Sequence, residues 1–259
     1  TVTSDCQVYM SNPDVIRVAT EHTRERMRNY PDAELIWVTQ GDNSHFCACN
    51  SCQALYARYE AWDMAIDQPM PSDAPQAWKD GYGGLAGALL YFVNSIADNL
   101  EAEFPNLKIA TFAYQPTGRP PRGIVPHRNI VVWYCAIERC QCHPLDGGPT
   151  SGLFYHHAAE LAALTRLAQT VYVYDYMQNS ISPDLLHRAE DIRLYRNLGV
   201  KDVTSDPLPE AHAGFSYLRF YLWMKLLWNS DYEEQRGMRE FLAAYYGAAA
   251  PYLKSFIDL

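Results

Sequence analysis

Five short apolar runs alternate with segments of helical character along most of the chain. The runs cover residues 34–39, 107–114, 129–135, 170–176 and 200–205, and only the second and third are joined by a long loop in place of a helix. Strands that are apolar on both faces and separated by helices are typical of a parallel sheet covered by helices. This pattern leaves two fold classes within the α/β proteins, a doubly wound sheet and a TIM-type barrel.

The turns that follow the five runs favour the barrel. None of them carries the glycine-rich phosphate loop of the doubly wound class. A complete (β/α)8 barrel needs eight strand-helix units, and the chain supplies five, after a first helix that Asn12 and Pro13 begin. We therefore expect residues 1–259 to be a single partial TIM-barrel domain of a longer protein. Its last five units would be present, and the upstream part of the same polypeptide would complete it.

Charge and composition exclude several kinds of partner. The chain has 30 acidic and 21 basic side chains and a formal net charge of -9, whereas nucleic-acid binders concentrate positive charge. No apolar stretch is long enough for a membrane span. The 19 tyrosines and 6 tryptophans suit a surface that stacks on the apolar faces of sugars, although protein cores also use aromatic residues.

Polar residues end or follow each of the five runs, at the strand ends where the working residues of a barrel lie. They are Asp42 and Asn43, Tyr114 and Gln115, Glu138 and Arg139, Asp175 and Tyr176, and Asp206 and Glu210. Hydrolysis of a glycosidic bond needs two carboxyls that flank the bond. We predict Asp42 and Asp175 as the catalytic carboxyls, with Glu138 in reserve.

Each of these residues also has a structural interpretation. Asp42 and Asn43 have the chemistry of a turn and a helix cap. Asp175 lies inside an apolar run, where a carboxylate is costly unless it is paired or faces a polar cavity. Tyr114, Trp133, Tyr174 and Tyr176 would form a stacking surface for a sugar, or would belong to the core. His156 and His157 open a helical segment, and we expect them to be a solvated helix end.

The cysteines form the most specific pattern. Cys47, Cys49 and Cys52 make a C-x-C-x-x-C motif, Cys135, Cys140 and Cys142 form a second group, and Cys6 is the seventh. Thiolates at such spacings readily share a metal. The leading interpretation is a zinc ion held by the triplet and one of Cys6, Cys135, Cys140 or Cys142, with Cys140 preferred and His45 or His143 as substitutes. Four such ligands would leave no open position, so the zinc would be structural. Disulfides in an oxidising compartment are the alternative. We expect no cofactor for catalysis.

Several landmarks in chain order resemble one known family. They are Thr39-Gln40-Gly41-Asp42-Asn43 with the cysteine triplet, Phe92-Val93-Asn94-Ser95-Ile96-Ala97, Ala110-Thr111-Phe112-Ala113-Tyr114 with Pro120-Pro121, Tyr174-Asp175-Tyr176, Leu226-Leu227-Trp228 and Tyr245-Tyr246-Gly247. This succession, which covers nearly the whole chain, resembles the DUF4838 family. The family is similar to TIM-barrel glycoside hydrolases of the group that contains hexosaminidases and alpha-glucuronidases.

The resemblance implies more about location, substrate and site. It implies a bacterial, exported protein, extracellular or periplasmic, that acts on an oligo- or polysaccharide. It places Asp42 at the end of the fourth barrel strand, where related glycosidases keep an Asp-Glu pair. This chain has Asp42-Asn43 there, so the usual proton donor of the hexosaminidases is missing and Asn43 becomes a substrate-binding candidate. Tyr174-Asp175-Tyr176 stands where the family has Trp-Asp-Tyr.

Three functions therefore remain as hypotheses. The preferred one is a glycoside-hydrolase-like domain that uses paired carboxylates. The second is a carbohydrate-binding domain without catalysis, and the third is a structural domain braced by a cysteine-bound metal.

Overall fold

The computed structural model describes residues 6–43, 45–59, 85–137, 139, 143–146, 157–176, 188–205 and 215–258. Over these ranges the chain is a mixed α/β structure. Its helices are α1 (Pro13–Asn29), α2 (Asn50–Arg58), α3 (Leu85–Leu100), α4 (His157–Leu167), α5 (Arg188–Leu198), α6 (Ser216–Trp228), α7 (Glu234–Tyr246) and α8 (Ala250–Ile257).

All five predicted strands are confirmed. They are β1 (Leu35–Trp37), β2 (Lys108–Tyr114), β3 (Ile130–Cys135), β4 (Thr170–Asp175) and β5 (Asp202–Ser205). They form one sheet in the order β1-β2-β3-β4-β5, and every neighbouring pair is parallel. The sheet is curled into a half-barrel, as expected of a partial barrel. Because all strands run the same way, the residues after each strand meet at one edge, which we call the rim.

The two faces of the sheet have different surroundings. Side chains alternate between the faces of a strand, and Ile109, Val132 and Val173 belong to the core that also contains the apolar faces of the helices. We call this the helix side. The other face carries an aromatic belt of rings in contact, made by Trp37, Phe112, Trp133 and Tyr172. The belt is less buried than the helix side, and Trp37 is 43% exposed.

The first helix begins where the sequence predicts. The side chain of Asn12 accepts a hydrogen bond from the backbone N–H of Asp14 at 2.8 Å, and Pro13 is the first helical residue. Helix α3 is buried around most of its circumference. Gly87 allows a close approach to α2, because an added Cβ would lie 2.1 Å from the Cβ of Tyr59.

Sequence patterns do not predict helix α8. Gly247 and Pro251 are residues that commonly mark the end of a helix. Pro251, however, is the second residue of α8, where a backbone N–H would have no partner within the helix, so a proline is tolerated. The last helix therefore packs against α7 through Leu253 and Ile257. Among the described residues, no helix combines the length and the apolar character that crossing a membrane would need.

Candidate functional site

Asp42 and Tyr114 meet at the rim. The hydroxyl of Tyr114 donates a hydrogen bond to Oδ1 of Asp42 at 3.2 Å. Asp42 is exposed and Tyr114 is half-buried. Gln40 holds the base of the Asp42 loop, since its Nε2 donates to the carbonyl of Tyr114 at 3.3 Å and its Oε1 accepts from the hydroxyl of Thr117 at 2.5 Å. The loop after β1 is thus fastened to the end of β2.

Two further tyrosines extend this group across the rim. The rings of Tyr174 and Tyr176 lie 5.1 Å apart between centroids, and Phe112 is 6.4 Å from Tyr174 and 6.5 Å from Tyr114. Burial, together with the nearby Cys135 and Tyr114, raises the pKa of Tyr176. The structure therefore brings Asp42 together with the three tyrosines that the sequence names.

Trp133 lies deeper in the sheet than these tyrosines. It is in register with Phe112 and Tyr172, two residues before the end of β3. Its ring centroid is 5.0 Å from that of Trp37 and 5.2 Å from that of Tyr172. Trp133 is a member of the aromatic belt, below the rim.

Asp175 is on the helix side of β4. Its side chain points to the same face of the sheet as the buried Val173, whereas Tyr174 points to the opposite face. The side chain of Asp175 is buried, at 1% exposure. Its Oδ1 accepts from Arg188 at 2.8 Å, and its Oδ2 accepts from the hydroxyl of Tyr195 at 3.1 Å. Burial opposes ionisation, but Arg188 and Arg139 hold the pKa of Asp175 below its ordinary value. The carboxylate is thus satisfied by pairing, which argues against the predicted catalytic role.

A second buried carboxylate extends this ion-pair cluster. Asp191 on α5 contacts Arg139 at 2.6 Å and accepts from the backbone N–H of Leu145 at 2.7 Å. Arg139 also donates to the carbonyl of His143 at 3.0 Å. The cluster fastens part of the segment after β3 to α5. Sequence reasoning missed the residues of α5, although Arg188, Asp191 and Tyr195 share one face of the helix at spacings of three and four.

Asn43 turns towards the protein. Its side-chain oxygen accepts from the backbone N–H of His45 at 3.0 Å and from Nε2 of Gln7 at 3.1 Å. Gln7 is 5% exposed and was not predicted as a site residue, because no local pattern marks a residue whose partners lie more than thirty positions away. Asn43 shapes the Asp42 loop through these two bonds.

Some predicted site residues lie outside the described residues. They are Glu138, Asp206, Glu210, Cys140 and Cys142.

Cys47, Cys49 and Cys52 form a thiol cluster at the start of α2. Their sulfur atoms all lie within 4.8 Å of one another, so the cluster can hold a metal ion. The backbone N–H of Cys49 donates to Sγ of Cys47 at 3.4 Å, and Ser11 Oγ is 3.0 Å from Sγ of the buried Cys52. Burial raises the pKa of Cys47 to about 11, whereas the backbone N–H of Cys52 lowers that of the exposed Cys49.

Other predicted ligands do not join this cluster in the described part of the chain. The sulfur atoms that lie within 4.8 Å of one another are those of Cys47, Cys49 and Cys52. The thiol cluster therefore does not include Cys6, Cys135, His45 or His143. Cys135 ends β3 near Tyr176. The five described cysteines, Cys6, Cys47, Cys49, Cys52 and Cys135, are not in disulfides. Three thiols with one N–H···S bond suit a metal that prefers sulfur ligands.

The prediction of a solvated helix end is wrong at His157, and the other residue of that prediction, His156, lies outside the described residues. His157 is 8% exposed, and its Nδ1 lies 2.6 Å from the hydroxyl of Tyr134. The same hydroxyl donates to Oε2 of Glu160 at 3.0 Å, and Arg119 lies 3.7 Å from the other oxygen of Glu160. Burial raises the pKa of Glu160. The side chain turns inward because Tyr134, from the buried face of β3, offers it a polar partner.

The structure is a mixed α/β fold with a curled parallel sheet, and its rim carries aromatic rings and the exposed carboxylate of Asp42. The chain belongs to the family described as a domain of unknown function, DUF4838, whose model matches residues 3–258. The predicted family membership is therefore confirmed. Comparison with curated proteins gave no match, and comparison with solved structures gave none either.

Proposed function

We propose that this chain is a glycoside-hydrolase-like domain that acts on an oligo- or polysaccharide at the rim. The observation that carries the proposal is the bond between Tyr114 and Asp42 beside the ring pair of Tyr174 and Tyr176. An exposed carboxylate accepts hydrogen bonds from sugar hydroxyls, and aromatic rings cover the apolar faces of sugar rings. Both kinds of group lie at the rim, which supports a sugar site there.

The chemistry of hydrolysis assigns different tasks to the predicted carboxyls. Two carboxyls must flank the scissile bond, one as acid and one as base or nucleophile. The exposure of Asp42 supports it as one of these two carboxyls. Asp175 does not, because it is paired with Arg188 on the helix side, and we assign it a role in holding the sheet to α5. Glu138, which follows β3 by three residues, is then our candidate for the second carboxyl.

A carbohydrate-binding domain without catalysis is the second candidate. Among the described residues that lie within five positions after a strand, Asp42 is the one exposed carboxylate, and the Asp-Asn pair lacks the acid that related glycosidases keep. One carboxylate with stacking rings is sufficient to bind a sugar but insufficient for paired-carboxyl hydrolysis. Sugar binding without product release would favour this candidate.

We also propose a TIM-type barrel as the complete fold. The curled parallel sheet supports it, because β1 and β5 both lie at sheet edges in the described structure and further parallel strands would pair with them. In this proposal the upstream part of the same polypeptide supplies those strands and covers the aromatic belt. The exported location that the family resemblance implies is part of the same proposal.

Zinc is the metal that we propose for the thiol cluster. Three clustered thiols at this spacing support it, because zinc accepts thiolates in tetrahedral sites. With a fourth ligand from the protein, zinc would brace the loop after β1 and take no part in hydrolysis.

A glycan panel tests the proposed function. We would compare wild-type chain with Asp42→Asn and with Asp32→Asn, a control at an exposed position before β1, at the end of the sheet opposite the rim. The proposal expects binding or product release by wild type and by the control, and a loss of about tenfold or more in Asp42→Asn. Equal behaviour of all three proteins would remove Asp42 from the site.

A further inference from the structure

The side chain of Gln7 forms hydrogen bonds with the backbone on both sides of Asp42. Its Nε2 donates to the carbonyl of Gly41 at 2.8 Å and to the carbonyl of Asn43 at 2.8 Å. Its Oε1 accepts from the backbone N–H of Gly41 at 2.9 Å. The backbone N–H of Gln7 donates to the carbonyl of His45 at 3.1 Å. A buried amide with this many partners fixes the backbone around Asp42.

The segment that contains Gln7 also touches the thiol cluster. Ser11, four residues further on, contacts Cys52 through its hydroxyl. The Asp42 loop reaches the cluster from the other direction, since Cys47 follows Asp42 by five residues. The rim carboxylate and the thiols are therefore joined by two short stretches of chain, 7–11 and 42–47, which Gln7 ties together.

We propose that a metal ion bound by the thiol cluster holds Asp42 in place through Gln7, so that metal occupancy sets the affinity of the rim for carbohydrate. The inference rests on the proposed carbohydrate site. The ion is a divalent cation that accepts sulfur ligands, for which zinc and cadmium are suitable probes.

The coupling follows from the conformational entropy of the two stretches of chain. A metal bound by the thiol cluster restrains Cys47 and Cys49, which follow the Asp42 loop. It also holds Cys52 in its contact with Ser11. Both stretches of chain then lose conformational freedom at one end, which lowers the entropy cost of forming the Gln7 bonds. Without the metal, the Gln7 bonds and the bonds of Gln40 and Asp42 to the end of β2 must order the loop by themselves.

Hydrogen exchange measures this coupling without any sugar. We would remove metal from reduced, full-length chain with a chelator, add back zinc, and follow the amides of Gly41 and His45, whose N–H groups are hydrogen-bonded in the loop. Zinc should slow their exchange by about tenfold in wild type. Amides in the middle of α3 should not change, and they serve as the internal control.

Two variants separate Gln7 from the metal. Gln7→Glu keeps the shape and the acceptor for Gly41 but loses both Nε2 donors, and Gln7→Ala loses every side-chain bond. Both should bind zinc with the wild-type stoichiometry while zinc no longer protects Gly41. If the alanine variant does not fold, the isosteric variant still decides the question.

The outcomes distinguish this inference from the proposed function. Metal-dependent protection in a chain that binds no glycan would support the coupling and contradict the sugar site. Zinc uptake without protection of Gly41, protection that persists in Gln7→Glu, or failure to bind zinc or cadmium would each overturn the inference. Where a glycan binds, removal of the metal should weaken its affinity by about tenfold, and an unchanged affinity would also overturn it.

Discussion

The hydroxyl of Tyr114 donates to Oδ1 of Asp42 at 3.2 Å, and this bond joins the loop after β1 to the last residue of β2. The two residues are 72 positions apart in sequence. They meet because parallel strands bring their carboxyl ends to one edge of the sheet. The bond orients an exposed carboxylate next to aromatic rings, and the proposed sugar site depends on it.

Replacing Tyr114 with Phe should weaken sugar binding and spare the fold. The substitution removes the hydroxyl that orients Asp42 but keeps the ring beside Phe112. One hydrogen bond contributes about 0.5–1.5 kcal/mol, so the dissociation constant should rise by a factor between about 2 and about 12. Calorimetric titration with the bound glycan measures this. Tyr30→Phe, at an exposed position, is the matched control, and an equal affinity in both variants would contradict the assigned role of Tyr114.

Replacing Asp175 with Asn should destabilise the protein strongly. The variant leaves Arg188 and Arg139 beside a neutral group in a buried site, and breaking such a pair costs about 3–5 kcal/mol. Urea unfolding measures the free energy of unfolding. The exposed Asp146→Asn should change it by less than about 0.5 kcal/mol. If Asp175→Asn kept wild-type stability but lost turnover, Asp175 would be a catalytic residue after all.

Glu160 should make stability depend on pH. Burial raises its pKa, so the folded state binds the proton more tightly than the unfolded state does. Its contribution is therefore present at acidic pH and is lost as the pH rises through the folded pKa. In Glu160→Gln, which cannot ionise, the free energy of unfolding relative to wild type should increase as the pH is raised from about 4, near the ordinary pKa of a glutamic acid. A difference that stays constant or decreases as the pH rises would contradict the direction of the shift.

Replacing Cys52 with Ser should abolish metal binding by the thiol cluster. Cys52 is fully buried and lies with Cys47 and Cys49, and hydroxyls are poor ligands for metals that prefer sulfur. Elemental analysis after purification without chelator would show the loss. Cys135→Ser alters a cysteine outside the cluster and should keep the metal. A metal content that is equal in both variants would mean that the ion is bound elsewhere.

The sequence predicts the sheet well because its signals are local. Each strand is a short apolar run, and the start of α1 follows from the capping chemistry of Asn12 and Pro13. The grouping of Asp42 with Tyr114, Tyr174 and Tyr176 follows from the common direction of parallel strands. The clustering of Cys47, Cys49 and Cys52 follows from their spacing.

Pairing across long distances could not be predicted in the same way. The run that contains Asp175 is apolar on both sides, so it gives no sign of the arginine partners on the helix side. His157 finds a buried partner in Tyr134, 23 positions away. Gln7 has no local pattern, and its bonds depend on how the segment before α1 lies against the Asp42 loop.

Locating the bound sugar is the most direct test of the account. Amide chemical shifts of the chain would be followed by NMR during titration with an oligosaccharide that binds. We predict that the shifts change at Asp42, Tyr114 and Tyr176 and that Asp42→Asn suppresses these changes. Shift changes confined to the far end of the sheet, or to helices α6–α8, with the rim unaffected, would contradict the account.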